Sequence, residues 1–200
     1  SCSVMYHHSK KNLKEIDYDP RKKLNKVYEG MALTKVYIEN MCKFYANRSN
    51  TKFSVLRHTN IYGPHDKFEN INGHFMSSII SKSRYASNKL EVWGNGQEKR
   101  DFLYVEDLCS AIKNIINGQK MNYDLINVSY GKAFSIKSMV KKIKLLMRKG
   151  YKIIFNKKKP SIKINILIDN SKMFRKYNWK PKVSIDNGIK KTVSWYLNNF

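Results

Sequence analysis

Two hundred residues, 42% hydrophobic and 12% aromatic, suffice for a buried core and exclude a disordered chain. No apolar run reaches membrane-spanning length and no signal peptide opens the sequence; with three cysteines (Cys2, Cys42, Cys109) in no paired spacing, a reducing, cytoplasmic setting is expected. The net charge of +24 invites nucleic acid, but the lysines are dispersed and no zinc-finger spacing, aromatic RNP-like strand or recognition helix accompanies them, so nucleic acid is not the expected partner.

Ser1 to Tyr6 reads as the end of a strand, and the polar stretch from His7 to Lys23 as loop. Tyr28 to Ala46 has helical periodicity, with Met31, Lys35, Ile38 and Cys42 on one face and Tyr28 one turn upstream. Phe53 to Arg57 is an apolar run expected to form a buried strand. Gly63-Pro64 breaks regular structure, so Thr59 to His74 is expected to be loop throughout. It carries Asn60, His65, Asp66 and His74, more functional groups than a connector needs. Loops at the carboxyl ends of strands are where α/β proteins keep their sites.

Phe75 to Tyr85 follows as a helix with Phe75, Ile79 and Ile80 inward, and Leu90 to Trp93 as a strand ended by Gly94-Asn95-Gly96. Arg100 to Leu108 runs into a helix whose apolar stripe is Leu108, Ala111, Ile112, Ile115 and Ile116, stopped at Gly118. Leu125 to Val128 is a strand. Ser135 is an N-cap for the helix carrying Ile136, Met139, Val140, Ile143 and Leu146. Lys152 to Phe155 and Ile162 to Ile168 are β-prone, and a short helix starts at Asp169 to Lys172. Ser184 caps the last helix, with Ile185, Ile189, Val193 and Tyr196 inward. Strands alternating with helices predict an α/β fold with a mainly parallel sheet. The Gly-rich phosphate turn of a dinucleotide-binding domain is absent from these residues.

Several stretches together resemble the extended short-chain dehydrogenase/reductase family of nucleotide-sugar enzymes. They are the Ser-rich end before Tyr6, the helix with Lys35, Thr59-Asn60-Ile61-Tyr62-Gly63-Pro64, Val92-Trp93-Gly94-Asn95-Gly96, Arg100-Asp101-Phe102-Leu103-Tyr104-Val105-Glu106-Asp107-Leu108 and Ile126-Asn127-Val128. The likeness is looser through Asp169-Asn170-Ser171-Lys172 and Trp179 to Trp195. Gly63-Pro64-His65-Asp66-x-Phe68 with Gly73-His74 narrows it to the branch acting on GDP-4-keto-6-deoxymannose. The resemblance implies the second half of a Rossmann-type doubly wound parallel sheet plus a smaller α/β C-terminal substrate-binding domain. On that basis residues 1–62, with strand 125–128 returning to their sheet, belong to the dinucleotide-binding domain, and residues 63–200 mainly to the substrate domain. It also implies an NADP(H)-dependent epimerase/reductase, a homodimer formed through helices of the Rossmann half, and a first half with its Gly-rich turn before Ser1.

Residue by residue, the family's Tyr-x-x-x-Lys pair on the helix, in which the lysine lowers the phenol's pKa, falls on Met31 and Lys35. A thioether cannot donate a proton. Tyr28 lies about 4.5 Å away along the helix at ~1.5 Å per residue, too far to take its place. Cys2 has two registers. With Tyr6 as anchor, Cys2 stands for the family's catalytic Ser and Val4 for its epimerising Cys; otherwise Cys2 is that Cys and Tyr6 falls two residues late. A lone strand-end cysteine can also be just a small buried residue. His74 matches the epimerisation acid/base, and His65 is expected to be structural. Asn60 and Ile61 match the turn that meets the nicotinamide, with His58 where the family usually has Pro. Arg100 matches the residue that holds the substrate diphosphate, against an alternative ion pair with Asp101 or Asp107. Trp93 either packs on the sugar or base or belongs to the core, and Asp107 is expected to cap the helix it opens. The family's Pro-x-Gly-x-x-Arg loop should fall at Pro160, where neither Gly nor Arg follows. Another nucleotide-sugar epimerase or dehydratase of the same superfamily, and a catalytically inactive or truncated homologue, remain alternatives.

Overall fold

The computed structural model describes residues 1–9, 11–68, 73–159 and 166–200. The strands are β1 (Phe53–His58), β2 (Asn60–Tyr62), β3 (Lys89–Trp93), β4 (Lys99–Tyr104), β5 (Tyr123–Val128), β6 (Ala133–Ser135) and β7 (Lys152–Asn156). The helices are α1 (Glu29–Ala46), α2 (Phe75–Tyr85), α3 (Val105–Gly118), α4 (Ile136–Met147), α5 (Ser171–Tyr177) and α6 (Ile185–Asn199). β1 pairs with β5, β2 with β4 and β3 with β7, all parallel, and β6 joins β4 antiparallel. The expected α/β fold with mainly parallel strands is what forms.

One core gathers α2, α4 and α6 against β2, β3 and β4, with Ile80, Met139, Val140, Ile143 and Ile189 out of solvent altogether or nearly so. α4 and α6 dock there because their apolar residues recur at helical spacing. Ser135 Oγ and Ser184 Oγ accept the first free backbone N–H groups, from Ser138 and Asn187. A second core places Ala111 and Ile115 of α3 and Met173 and Tyr177 of α5 against Leu103, Ile126 and Val128. α5 is also clamped by charge. Asp124 on β5 takes Lys172 at 2.8 Å, Lys176 at 2.6 Å and the Tyr177 hydroxyl at 2.5 Å.

α1 docks differently. Only Ala32, Glu39 and Ala46, seven residues apart, are buried, and Glu39 meets Arg57 of β1 through both carboxylate oxygens at 3.0 and 2.7 Å. Arg57 also donates to the Tyr6 hydroxyl at 2.9 Å and to Glu15 O at 3.0 Å, and Tyr6 donates to Asn127 Oδ1 at 2.8 Å. Burial disfavours the guanidinium charge, yet Glu39 and Tyr6 hold its pKa above the ordinary value. This network ties Tyr6 and Glu15 to the sheet.

Four expectations change. Ser1 to Tyr6 is not a strand: Cys2 makes one parallel bridge to His58, and Ser3–Met5 turn into a 3₁₀ helix. The Thr59 to His74 stretch is not wholly loop, since Asn60–Tyr62 pair with Phe102–Tyr104. That partner lies some forty residues away and no local propensity reports it. On α1 the Met31/Lys35/Ile38/Cys42 face is not the buried one, because Glu39 takes the inward position once Arg57 neutralises it. On α3, Ile112 and Ile116 point outward at 39% and 73% exposure. The stripe is narrower than the run of isoleucines because α3 meets its core along Ala111 and Ile115, with Leu108 packed beside them.

Candidate functional site

Two cavities share a wall. The first, about 340 Å³, is lined by Cys2, Met31, His58, Asn60, Ile61 and His74, with Tyr28 beside Met31. The second, a cleft of about 420 Å³, is lined by Lys82, Trp93 and Glu98 among others. Gly73, Phe75 and Arg100 line both. Both volumes suit a small-molecule site.

The first cavity sits where β1 ends and the chain turns into β2. Thr59 Oγ1 and Asn60 Nδ2 both donate to Asp101 O, at 3.0 and 2.8 Å, which fixes the turn. His58 donates Nδ1–H to Thr59 O at 2.8 Å, which fixes its ring. Burial lowers the pKa of His58, with Lys35 and His74 among the nearby cations that add to it. His74 is the N-cap of α2, and its Nδ1 lies 2.8 Å from Asp66 Oδ1. A carboxylate only accepts, so Nδ1 carries the hydrogen and Nε2 is left for another partner. The His74 side chain is 70% exposed and Asp66 only 12%, so the pair orients the imidazole more than it stabilises the fold.

Of the residues expected from sequence, Cys2, Met31, Asn60, Ile61, His74 and Arg100 meet at this cavity and Trp93 and Arg100 at the cleft. Lys35 lies half-buried one turn beyond Met31 and is not among the lining residues. Met31 is 52% exposed, and Tyr28 shares its cavity wall. His65 packs on Trp195 with ring centres 4.6 Å apart, a structural place. Arg100 pairs with neither Asp101 nor Asp107; its guanidinium stands 5.8 Å from the Phe75 ring centre. Asp101 is wholly buried and accepts from Tyr130 N and Gly131 N at 3.0 and 2.8 Å. Asp107 accepts from Lys182 N and Val183 N, so it anchors the approach to α6 instead of capping its own helix. The stretch at Pro160 lies outside the described residues.

Sequence reasoning missed Asp66 as the partner of His74 and Glu98 in the cleft. An Asp eight positions before a His in one loop was the available signal for the first. For Glu98 there was none.

Asn60 and Ile61, with Lys35 nearby, would meet the nicotinamide and ribose end of a dinucleotide. The Asn60 amide is already engaged with Asp101 O, and these residues hold no Gly-rich turn for the phosphates. Among the described residues no cluster suits a metal ion, and no helix is long and apolar enough to cross a membrane.

A parallel α/β scaffold with a mainly apolar cavity, edged by a few polar groups, at the carboxyl end of β1 is that of a Rossmann-type protein. The family profile described as "NAD dependent epimerase/dehydratase family" matches residues 1–129, and the chain belongs to that family. GDP-L-colitose synthase of Yersinia pseudotuberculosis is 33% identical over 183 residues, 88% of this chain and 58% of that protein. Probable GDP-L-fucose synthase 1 of Oryza sativa subsp. japonica is 31% identical over 175 residues, 86% of this chain and 53% of that protein. The chain thus spans little more than half the length of these relatives. A GDP-6-OMe-4-keto-L-xylo-heptose reductase from C. jejuni has the same fold, with a TM-score of 0.89 at 20% identity over all of this chain and 69% of that one.

Proposed function

We propose that the chain carries the substrate half of a GDP-sugar epimerase/reductase site, of the kind that converts GDP-4-keto-6-deoxymannose to GDP-L-fucose. The observation that carries this reading is the placement of Arg100 on the wall common to both cavities. A guanidinium there suits a diphosphate, with the keto sugar in the cavity of Cys2 and His74 and the nucleoside in the cleft beside Trp93. The related GDP-sugar synthases support the nucleotide class.

In this reading His74 Nε2, oriented by Asp66, and the Cys2 thiol exchange protons at the carbons flanking the keto group. Those protons are acidic because the carbonyl stabilises the resulting enolate. Lys35, Asn60 and Ile61 take the ribose and nicotinamide end of NADP(H), which supplies the hydride when bound. Met31 offers no proton to the reduced carbonyl oxygen, so epimerisation survives where reduction is impaired. The loss favours a second reading, a homologue that binds the sugar nucleotide without completing turnover. The division at residue 62 and a homodimer through α1, whose Leu33, Tyr37 and Tyr45 are exposed, belong to the same proposal.

Calorimetric titration with GDP tests it. GDP should bind, and Arg100→Ala should weaken it by at least tenfold, since truncating one partner of a charged hydrogen-bonded contact typically costs ~2 kcal/mol or more. Unchanged affinity in Arg100→Ala would refute the placement of the diphosphate.

A further inference from the structure

On one face of the molecule the fold gathers cations that the sequence spreads out. β3 and β7 form a two-stranded parallel ladder in which Lys89 stands beside Lys152, Glu91 beside Ile154 and Trp93 beside Asn156. The pleat of β3 turns Leu90 and Val92 inward and Lys89, Glu91 and Trp93 outward. Where this ladder meets the last turn of α2, an open groove of about 420 Å³ is lined by Lys82, Tyr85, Lys89, Glu91 and Trp93 among others. Tyr85 and Lys89 belong to this groove and not to the cleft, whereas Lys82, Glu91 and Trp93 line both.

The groove leaves two kinds of group unused. Its aromatic rings are open, Tyr85 at 76% and Trp93 at 51% exposure. Its charge is open as well. The ammonium groups of Lys82 and Lys159 stand 6.0 and 5.7 Å from the Trp93 ring centre. Among the described residues no ion pair takes Lys82, Lys89, Lys152 or Lys159, and Glu91 is the one acid in the lining. Four unneutralised cations around two exposed rings, in a chain of net charge +24, make a surface that asks for a polyanion with aromatic faces of its own.

We propose that this groove binds single-stranded nucleic acid, with Tyr85 and Trp93 as platforms for stacked bases and the four lysines flanking the phosphate backbone. Every base has an aromatic face, so such stacking is tolerant of sequence, and lysines along the track hold the phosphates. An acidic peptide would answer the cations and leave the two rings unmatched. A second copy of this face would set its own lysines against these.

Fluorescence anisotropy of the whole chain with a labelled oligothymidylate of about a dozen nucleotides, at about 50 mM salt, tests the proposal. The oligonucleotide should bind, and Tyr85→Ala should weaken it by about 5–100-fold, the range of one lost stacked base. Lys89→Gln should lower the slope of log affinity against log salt by about 0.7, the share of one phosphate contact. Inorganic polyphosphate, which has the charge without the bases, should bind Tyr85→Ala as it binds the unsubstituted chain, and unchanged melting temperatures show that both variants remain folded. No binding of the oligonucleotide overturns the proposal, as does binding that neither variant alters. Equal weakening of oligonucleotide and polyphosphate by Tyr85→Ala overturns the stacking role. A polyglutamate peptide that binds as tightly as the oligonucleotide, and loses as much in Tyr85→Ala, makes the partner an acidic protein and overturns the nucleic-acid assignment. GDP titration, which reads the cleft through Arg100, is independent of each of these results.

Discussion

The two cavities that meet at Arg100 are built on different principles. The cleft rests on a continuous apolar core, where α2, α4 and α6 each bury a full stripe against β2, β3 and β4. On the other side α1 fully buries only Ala32, Glu39 and Ala46, and the Glu39–Arg57 hydrogen bonds add to that contact. The chemistry follows the same division. On the cleft side Arg100 and Trp93 stand at the wall, while on the α1 side the proposed reading puts a thioether, Met31, where a proton donor is needed.

The largest effect expected from breaking that comparison is in the polar network. Arg57→Ala leaves Glu39 buried without its cation and should lower stability by about 3–5 kcal/mol in urea unfolding. A loss below about 1 kcal/mol would show that packing carries the α1 side as well. A smaller effect concerns the strand that joins both cavities. Burial pushes the Asp101 carboxyl up to about 7, although the Tyr130 and Gly131 amides favour its charged form. Its folded pKa lies above the ordinary value of ~3.9. Its contribution is therefore fully present below about pH 4 and is lost as pH rises through about 7. The melting temperature should fall across that window, and Asp101→Asn should flatten the decline. Parallel pH profiles for the two proteins would rule the effect out.

How much of this could be read from the sequence follows the same line. α4 and α6 were legible because Ser135 and Ser184 cap them and their apolar residues keep helical spacing. α1 was legible as a helix but not in its facing, because a buried Glu39 makes sense only once Arg57 is known to lie beneath it. β2 was hidden because its partner is remote in sequence. At the site, the family resemblance singled out Cys2, Met31, Asn60, Ile61, His74 and Arg100, and the structure places them around one cavity. Glu98 was invisible, since an acid after a Gly-x-Gly turn looks like any surface residue until the fold takes its Oε2 from water.

The most direct test of the whole account is nuclear magnetic resonance of GDP-4-keto-6-deoxymannose incubated with the protein and NADPH in deuterated water. The account predicts deuterium entering at the carbons that flank the keto group while the keto carbon stays unreduced, because His74 and Cys2 are in place and Met31 is not a proton donor. Formation of the reduced sugar at the expense of NADPH would contradict the role given to Met31. A sugar that acquires no deuterium would contradict the placement of the ketosugar beside His74.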